Sequence, residues 1–255
     1  MSSPQNSTPP DRAPKLVPLP NRFASGPSPD EMSEWAPRIP WEFFQDGFKW
    51  AQGEHVGMIG PTGAGKTTLG LWVAEKRQYV SIFVTKPEDE VMSSLVKKGG
   101  KGYHKMQEWK NLDPDRVPKR LVWPDARKLY SMNKQVAQFK FAFQEIYEQG
   151  SWTVFIDELF FVVNHLKLGP EIKTFLTQAR SLRISLLLLT QRPAHVPLEV
   201  YDQSTHLFFW RENDESNLDR LGGISWANSK VLRELIANLD LHECLYINTR
   251  IGAKS

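Results

Sequence analysis

Apolar residues in this chain follow two rhythms. Short, nearly unbroken runs recur: HVGMIG (55–60), YVSIFVTK (79–86), RLVWPDA (120–126), WTVFIDE (152–158), ISLLLLTQ (184–191), THLFFWR (205–211) and HECLYINT (242–249). Runs of this length, bounded by charged or turn-forming residues, predict buried strands, with RLVWPDA a short one. Between them the spacing turns helical. KTTLGLWVAEKR (66–77) follows the first strand, and NKQVAQFKFAFQEIYEQG (133–150) sets Val136, Phe139, Phe143, Ile146 and Tyr147 on one face before a terminal glycine. PEIKTFLTQARSL (170–182) opens with proline, which suits a first helical turn, and DESNLDRL (214–221) and NSKVLRELIANL (228–239) are helices between the last two strands. Continuous apolar strands alternating with helices predict an α/β fold, a mostly parallel sheet with helices on both faces.

The rhythm is absent from residues 1–40, which hold ten of the eighteen prolines, many serines and few core formers. Such a composition buries too little apolar area to offset the entropy of ordering, so a disordered or draped arm is expected ahead of a folded domain at 41–255. Aromatics in RIPWEFFQDGFKW (38–50) are placed to pack over the first strand. The single cysteine, Cys244, excludes an intramolecular disulfide, suits a reducing compartment and is expected in the core. No apolar run reaches the length of a bilayer span, and the N-terminus lacks the apolar region of a signal peptide, so the expectation is a cytoplasmic protein without direct membrane insertion. The six histidines lack metal-ligand spacing, so no structural metal is expected.

Net charge is only +3, but its distribution is uneven. Residues 97–140 carry twelve lysines and arginines against four acidic residues, so this segment holds +8 and the remainder −5. Within it, VKKGGKGYHK (96–105) offers Lys97, Lys98, Lys101 and Lys105 on a glycine-rich loop, beside Tyr103 and His104. It reads equally as a loop that tracks a phosphate backbone and as ordinary solvated surface.

The chemistry is concentrated in three places. GPTGAGKT, comprising Gly60, Pro61, Thr62, Gly63, Ala64, Gly65, Lys66 and Thr67, with Thr68 behind it, fits G-x-x-x-x-G-K-[ST] between a strand and a helix. Its glycines let successive N–H groups converge on phosphate oxygens, Lys66 neutralises the β- and γ-phosphates, and Thr67 offers a hydroxyl to Mg2+. TVFIDE ends a buried strand in Asp157, a second magnesium-side ligand, and Glu158, placed to orient or deprotonate water facing the γ-phosphate of ATP. Gln191 closes the wholly apolar ISLLLLT strand. If that strand lies between the other two, Gln191 faces the γ-phosphate as a sensor.

These pieces in this order, GPTGAGKT, VFIDE and QARSLRISLLLLTQRP, resemble the FtsK–HerA superfamily of DNA-pumping ATPases, viral genome-packaging ATPases included. The likeness covers about residues 50–250, and THLFFWRENDESNLDRLGG…LHECLYINTR resembles the closing strand–helix–strand of the same group. It implies a RecA-like (ASCE) P-loop NTPase, working as a homo-oligomeric ring, usually a hexamer, with ATP at subunit boundaries and DNA in the channel. It also implies an arginine directed at a neighbour's nucleotide. Arg180 occupies the corresponding place, and Arg183 stands where many relatives have glycine. A compact motor without room for a membrane anchor or a DNA-reading winged helix is most similar to the packaging enzymes, whose partners include a capsid or portal-type protein. Two other classes stay open: a virion assembly or secretion ATPase similar to the zonular occludens toxin-like proteins of filamentous phages, and a P-loop nucleotide switch. Glu158 and Gln191 favour turnover over switching.

Overall fold

Strand and helix alternate through the chain as the apolar spacing predicts. The structure, a computed structural model, describes residues 36–96, 102–128, 131–222 and 229–250. Among the described residues eight strands form one sheet: β1 His55–Ile59, β2 Val80–Phe83, β3 His104–Met106, β4 Lys119–Val122, β5 Thr153–Ile156, β6 Ser185–Thr190, β7 Ser204–Trp210 and β8 Cys244–Asn248. Their spatial order is β3-β4-β2-β5-β6-β1-β7-β8, and every pairing is parallel except that of β7 with β8. The helices are α1 Trp41–Gly47, α2 Lys66–Glu75, α3 Glu90–Val96, α4 Met132–Gln149, α5 Gly169–Gln178, α6 Glu199–Asp202, α7 Glu215–Gly222 and α8 Ser229–Ala237.

Strand side chains alternate between two cores. Val154 and Ile156, Leu186 and Leu188, and Leu207 and Phe209 pack on one face with Phe139, Phe143 and Ile146 of α4 and Ile172 and Phe175 of α5. Phe155, Leu187 and Leu189, and Phe208 and Trp210 pack on the other with Leu69, Leu71 and Val73 of α2. Both faces being covered explains why the strands read as continuous apolar runs. Each such side chain taken out of water contributes about 1.5–3 kcal/mol, an upper range set against the entropy of ordering.

Some elements differ from the expectation. β3 was hidden in the lysine-rich stretch because only Met106 of its three residues is buried. Cys244 is half-buried, not a core residue, because among the described residues β8 is the outermost strand and pairs with β7 alone. Trp72 is half-buried, with its ring edge-on to Trp41 and tilted against Phe44 and Phe48. Arg120, in contrast, is fully buried. Its guanidinium lies over the rings of Trp109 and Trp152, with Nε donating to the Val117 carbonyl at 3.0 Å and a terminal nitrogen to the Leu112 carbonyl at 2.6 Å. Residues 1–35 of the expected arm lie outside the described residues.

Candidate nucleotide site

Because β1, β5 and β6 are parallel, their carboxyl ends meet at one edge of the sheet, with β6 between the other two. Register fixes the level: Ile59 lies opposite Thr190, and Ile156 opposite Leu188. The loop after β1, the carboxylates after β5 and Gln191 after β6 therefore share one end of the fold. In open parallel sheets this is where ligands bind.

The loop from Gly60 to Thr67 turns tightly into α2. Gly65, the residue that begins the helix, has φ +104°, a left-handed conformation costly for residues with a Cβ. At Gly60 the constraint is space, since a Cβ there would lie 2.6 Å from Cβ of Trp210 on β7. No side chain caps α2, so its first N–H groups point into the loop unclaimed by a cap.

Lys66 is buried, and its Nζ donates to the carbonyls of Gly60 at 2.7 Å and Pro61 at 2.6 Å. Burial lowers its pKa, while Glu158 and Asp157 counter that effect. The Thr67 hydroxyl donates to Asp157 Oδ1 at 2.7 Å, which joins a hydroxyl and a carboxylate oxygen, the donor types a magnesium ion prefers. Glu158 Oε2 accepts from Gln191 Nε2 at 2.8 Å, and Gln191 Oε1 accepts the Thr62 hydroxyl at 2.6 Å. Glu158 Oε1 is buried without a hydrogen-bond partner among the described residues. Burial, with repulsion from Asp157, raises the pKa of Glu158 above the ordinary carboxylate range. Thr68 is exposed on the first turn of α2.

Lys86 was not legible as a site residue. It follows β2, and its Nζ is 3.5 Å from Asp157 Oδ2 and 3.2 Å from Asp89 Oδ2. The available signal was its place just beyond the carboxyl end of a parallel strand, the level shared by the loop and both site carboxylates. A cavity of about 380 Å³ opens beside Glu158 and Gln191, walled by Phe160, Phe161, His165 and Arg192. Phe161 and His165 stand on a π-helical turn, Phe161–His165, that the apolar spacing did not reveal.

The remaining sequence candidates lie elsewhere. Arg180 and Arg183 are exposed at the opposite, amino-terminal end of β6. Arg183 stands eight positions before Gln191, roughly 25 Å of extended chain, so neither guanidinium reaches the phosphate loop of its own subunit. Arg183 has φ +58°, which accounts for glycine suiting this position. Lys105 is exposed on β3, with its ammonium 3.8 Å from the ring centre of Trp123. Lys97, Lys98 and Lys101 lie outside the described residues.

A strand inserted between the phosphate-loop strand and the Asp157 strand, within a mostly parallel sheet covered on both faces, defines a RecA-like P-loop NTPase fold. Solved structures share it. The chain is similar to the genome packaging NTPase B204 from Sulfolobus turreted icosahedral virus 2 in complex with ATP-gammaS, at 16% identity and TM-score 0.56, over 78% of this chain and 94% of that one. It is also similar to B204, the DNA-packaging ATPase from Sulfolobus turreted icosahedral virus, at 17% identity and TM-score 0.53, over 79% and 95% of the two chains. The likeness to packaging ATPases read from short motifs thus recurs as a shared fold. No family model matches the sequence, and no curated protein matches it.

Proposed function

We propose that this protein is an ATP-hydrolysing motor that translocates or packages DNA, working as a ring of identical subunits in viral genome packaging. The observation that carries hydrolysis is the Thr62–Gln191–Glu158 chain, which holds a second carboxylate against the phosphate loop. A nucleotide-binding switch has no need of that carboxylate.

In this mechanism the loop amides and Lys66 hold the triphosphate, after Lys66 exchanges its two carbonyl partners for phosphate oxygens. Thr67 and Asp157 would hold Mg2+, which supplies neutralisation of phosphate charge. Glu158 takes a proton from the water that attacks the γ-phosphorus, and the bond from that phosphorus to the bridging oxygen breaks to leave ADP and phosphate. Burial raises its pKa, which makes it a stronger proton acceptor than an exposed carboxylate. Gln191 fixes the Glu158 rotamer and, through Thr62, senses the phosphate loop. Arg180 or Arg183 of an adjoining subunit supplies the cation on the outer side of the γ-phosphate.

DNA as the load is supported by the concentrated charge of residues 97–140 and by the neighbouring structure's role as a DNA-packaging ATPase. Under this reading residues 41–255 form the motor domain, residues 1–40 are an appended arm, and a capsid or portal-type protein recruits the ring. The deciding experiment is phosphate release by the purified protein with and without duplex DNA, paired with its mass in solution. Stimulation by DNA in a ring-sized species is expected. Hydrolysis indifferent to DNA would overturn the motor reading.

A further inference from the structure

We propose that Lys86 is a positioning residue through which occupancy of the nucleotide site is felt by α3 and the basic edge of the sheet. The proposal rests on the site binding a magnesium nucleotide. Lys86 lies between two carboxylates that belong to different parts of the fold. Asp157 carries the Thr67 hydroxyl on Oδ1 and has Lys86 beside Oδ2. Asp89 receives the same ammonium on Oδ2 and caps α3 with Oδ1, which accepts the Met92 N–H at 3.0 Å. Both carboxylates are nearly buried, while the Lys86 side chain is 51% exposed.

The backbone beneath this lysine is held from two sides. The Lys86 carbonyl accepts the Trp123 indole N–H at 2.8 Å, and the Thr85 carbonyl accepts Gln135 Nε2 at 3.0 Å. The side chain is therefore the part free to respond. An ammonium and a divalent cation compete for the same carboxylate, because each repels the other over the few ångströms involved. A magnesium ion held by Asp157 and Thr67 displaces Lys86, which then bears on Asp89 alone. Lys86 thus has two arrangements, and occupancy of the site selects between them.

Contacts continue outward from both ends. The last turn of α3 is tied to the residue just before β3, where the Leu95 carbonyl accepts the Tyr103 N–H at 3.3 Å. Trp123, hydrogen-bonded to the Lys86 carbonyl, carries the Lys105 ammonium over its ring. Both routes end in the segment with the greatest excess of positive charge.

Hydrogen exchange of residues 90–96 in the full chain tests the idea. The non-hydrolysable analogue AMPPCP is added with Mg2+ or with EDTA, and its binding is measured separately by calorimetry. In the unmodified protein, Mg2+ with AMPPCP should slow exchange in α3 by roughly fivefold, the lower end of usual coupling, and AMPPCP with EDTA should not. Lys86→Met should bind AMPPCP, need less Mg2+ for half-maximal binding, and lose the α3 response. Asp89→Asn keeps an acceptor for the Met92 N–H but removes the charge, and should lose the response as well, so the test survives misfolding of either variant. A full α3 response in either variant, or the same response with EDTA as with Mg2+, would overturn the role of Lys86. AMPPCP bound with no change in α3 overturns this proposal alone, whereas no binding to the unmodified protein overturns the nucleotide-site reading with it.

Discussion

Gln191 and Glu158, at the ends of neighbouring parallel strands, are joined by a 2.8 Å hydrogen bond from Nε2 to Oε2. The bond leaves the other carboxylate oxygen of Glu158 buried without a hydrogen-bond partner among the described residues, and the glutamine carbonyl is taken by Thr62 of the phosphate loop. Glu158→Gln should bind ATP yet lose turnover by about 10²–10⁴, the usual contribution of a general base. Gln191→Ala should also retain ATP and turn over more slowly, because its glutamate is no longer held in one rotamer. Single-turnover phosphate release together with nucleotide binding separates these outcomes. Normal turnover by Glu158→Gln would remove it from the mechanism.

The arginines at the far end of β6 act across a subunit boundary or not at all. An arginine supplied in trans raises such rates by about 10³–10⁵. Mixing inactive Arg180→Ala with inactive Glu158→Gln protein should restore part of the activity, since some boundaries in a mixed ring pair an intact arginine with an intact glutamate. A mixture that assembles and stays inactive excludes Arg180. Arg183→Gly then serves as the second test, because glycine relieves the left-handed backbone there and stability should stay within about 1 kcal/mol of the parent. Lost turnover in that variant would assign the role to Arg183.

Replacing Lys97, Lys98, Lys101 and Lys105 by alanine should weaken binding to all duplex sequences alike. It should also flatten the slope of log affinity against log salt by up to about 0.9 for each phosphate that is no longer neutralised. Titrations at several salt concentrations provide the measurement, and an unchanged slope assigns the segment to ordinary surface.

Acid should destabilise the fold well above the carboxylate range. His55 is buried, and its Nδ1 accepts the Leu186 N–H at 3.1 Å. Burial pushes its pKa down from 6.5 to about 4, against a smaller opposing effect of the Leu176 backbone. Between those values the unfolded chain binds the proton more readily, so stability is complete above pH 6.5 and falls as pH drops towards 4, by roughly 3 kcal/mol for this residue. His206, lowered by burial, acts in the same direction. Denaturant midpoints measured across this range should show the loss, and His55→Gln should flatten it.

Much of this architecture was legible because parallel strands covered on both faces write themselves as apolar runs. The phosphate loop was legible because its chemistry lies within eight consecutive residues. What escaped depends on partners distant in sequence. Lys86 gains meaning only where β2 lies beside β5, which brings it to Asp157. Arg120 looks like surface until Trp109 and Trp152 close over it. The direction of β8 was not written in its residues, since an edge strand of this length pairs either way. Gln191 was expected at the γ-phosphate, but its bond to a glutamate 33 positions earlier needed β6 to run beside β5.

Trp210, the tryptophan pressed against Gly60, is the last residue of β7 and pairs with Cys244, the first residue of β8. The floor of the phosphate loop is thus the end of a ladder whose outer rail is the C-terminal strand. Fraying of that strand should loosen Trp210, whose Cβ and Cγ are the atoms set against Gly60. A substitution that frays the sheet margin should therefore weaken nucleotide binding while the rest of the sheet is still folded.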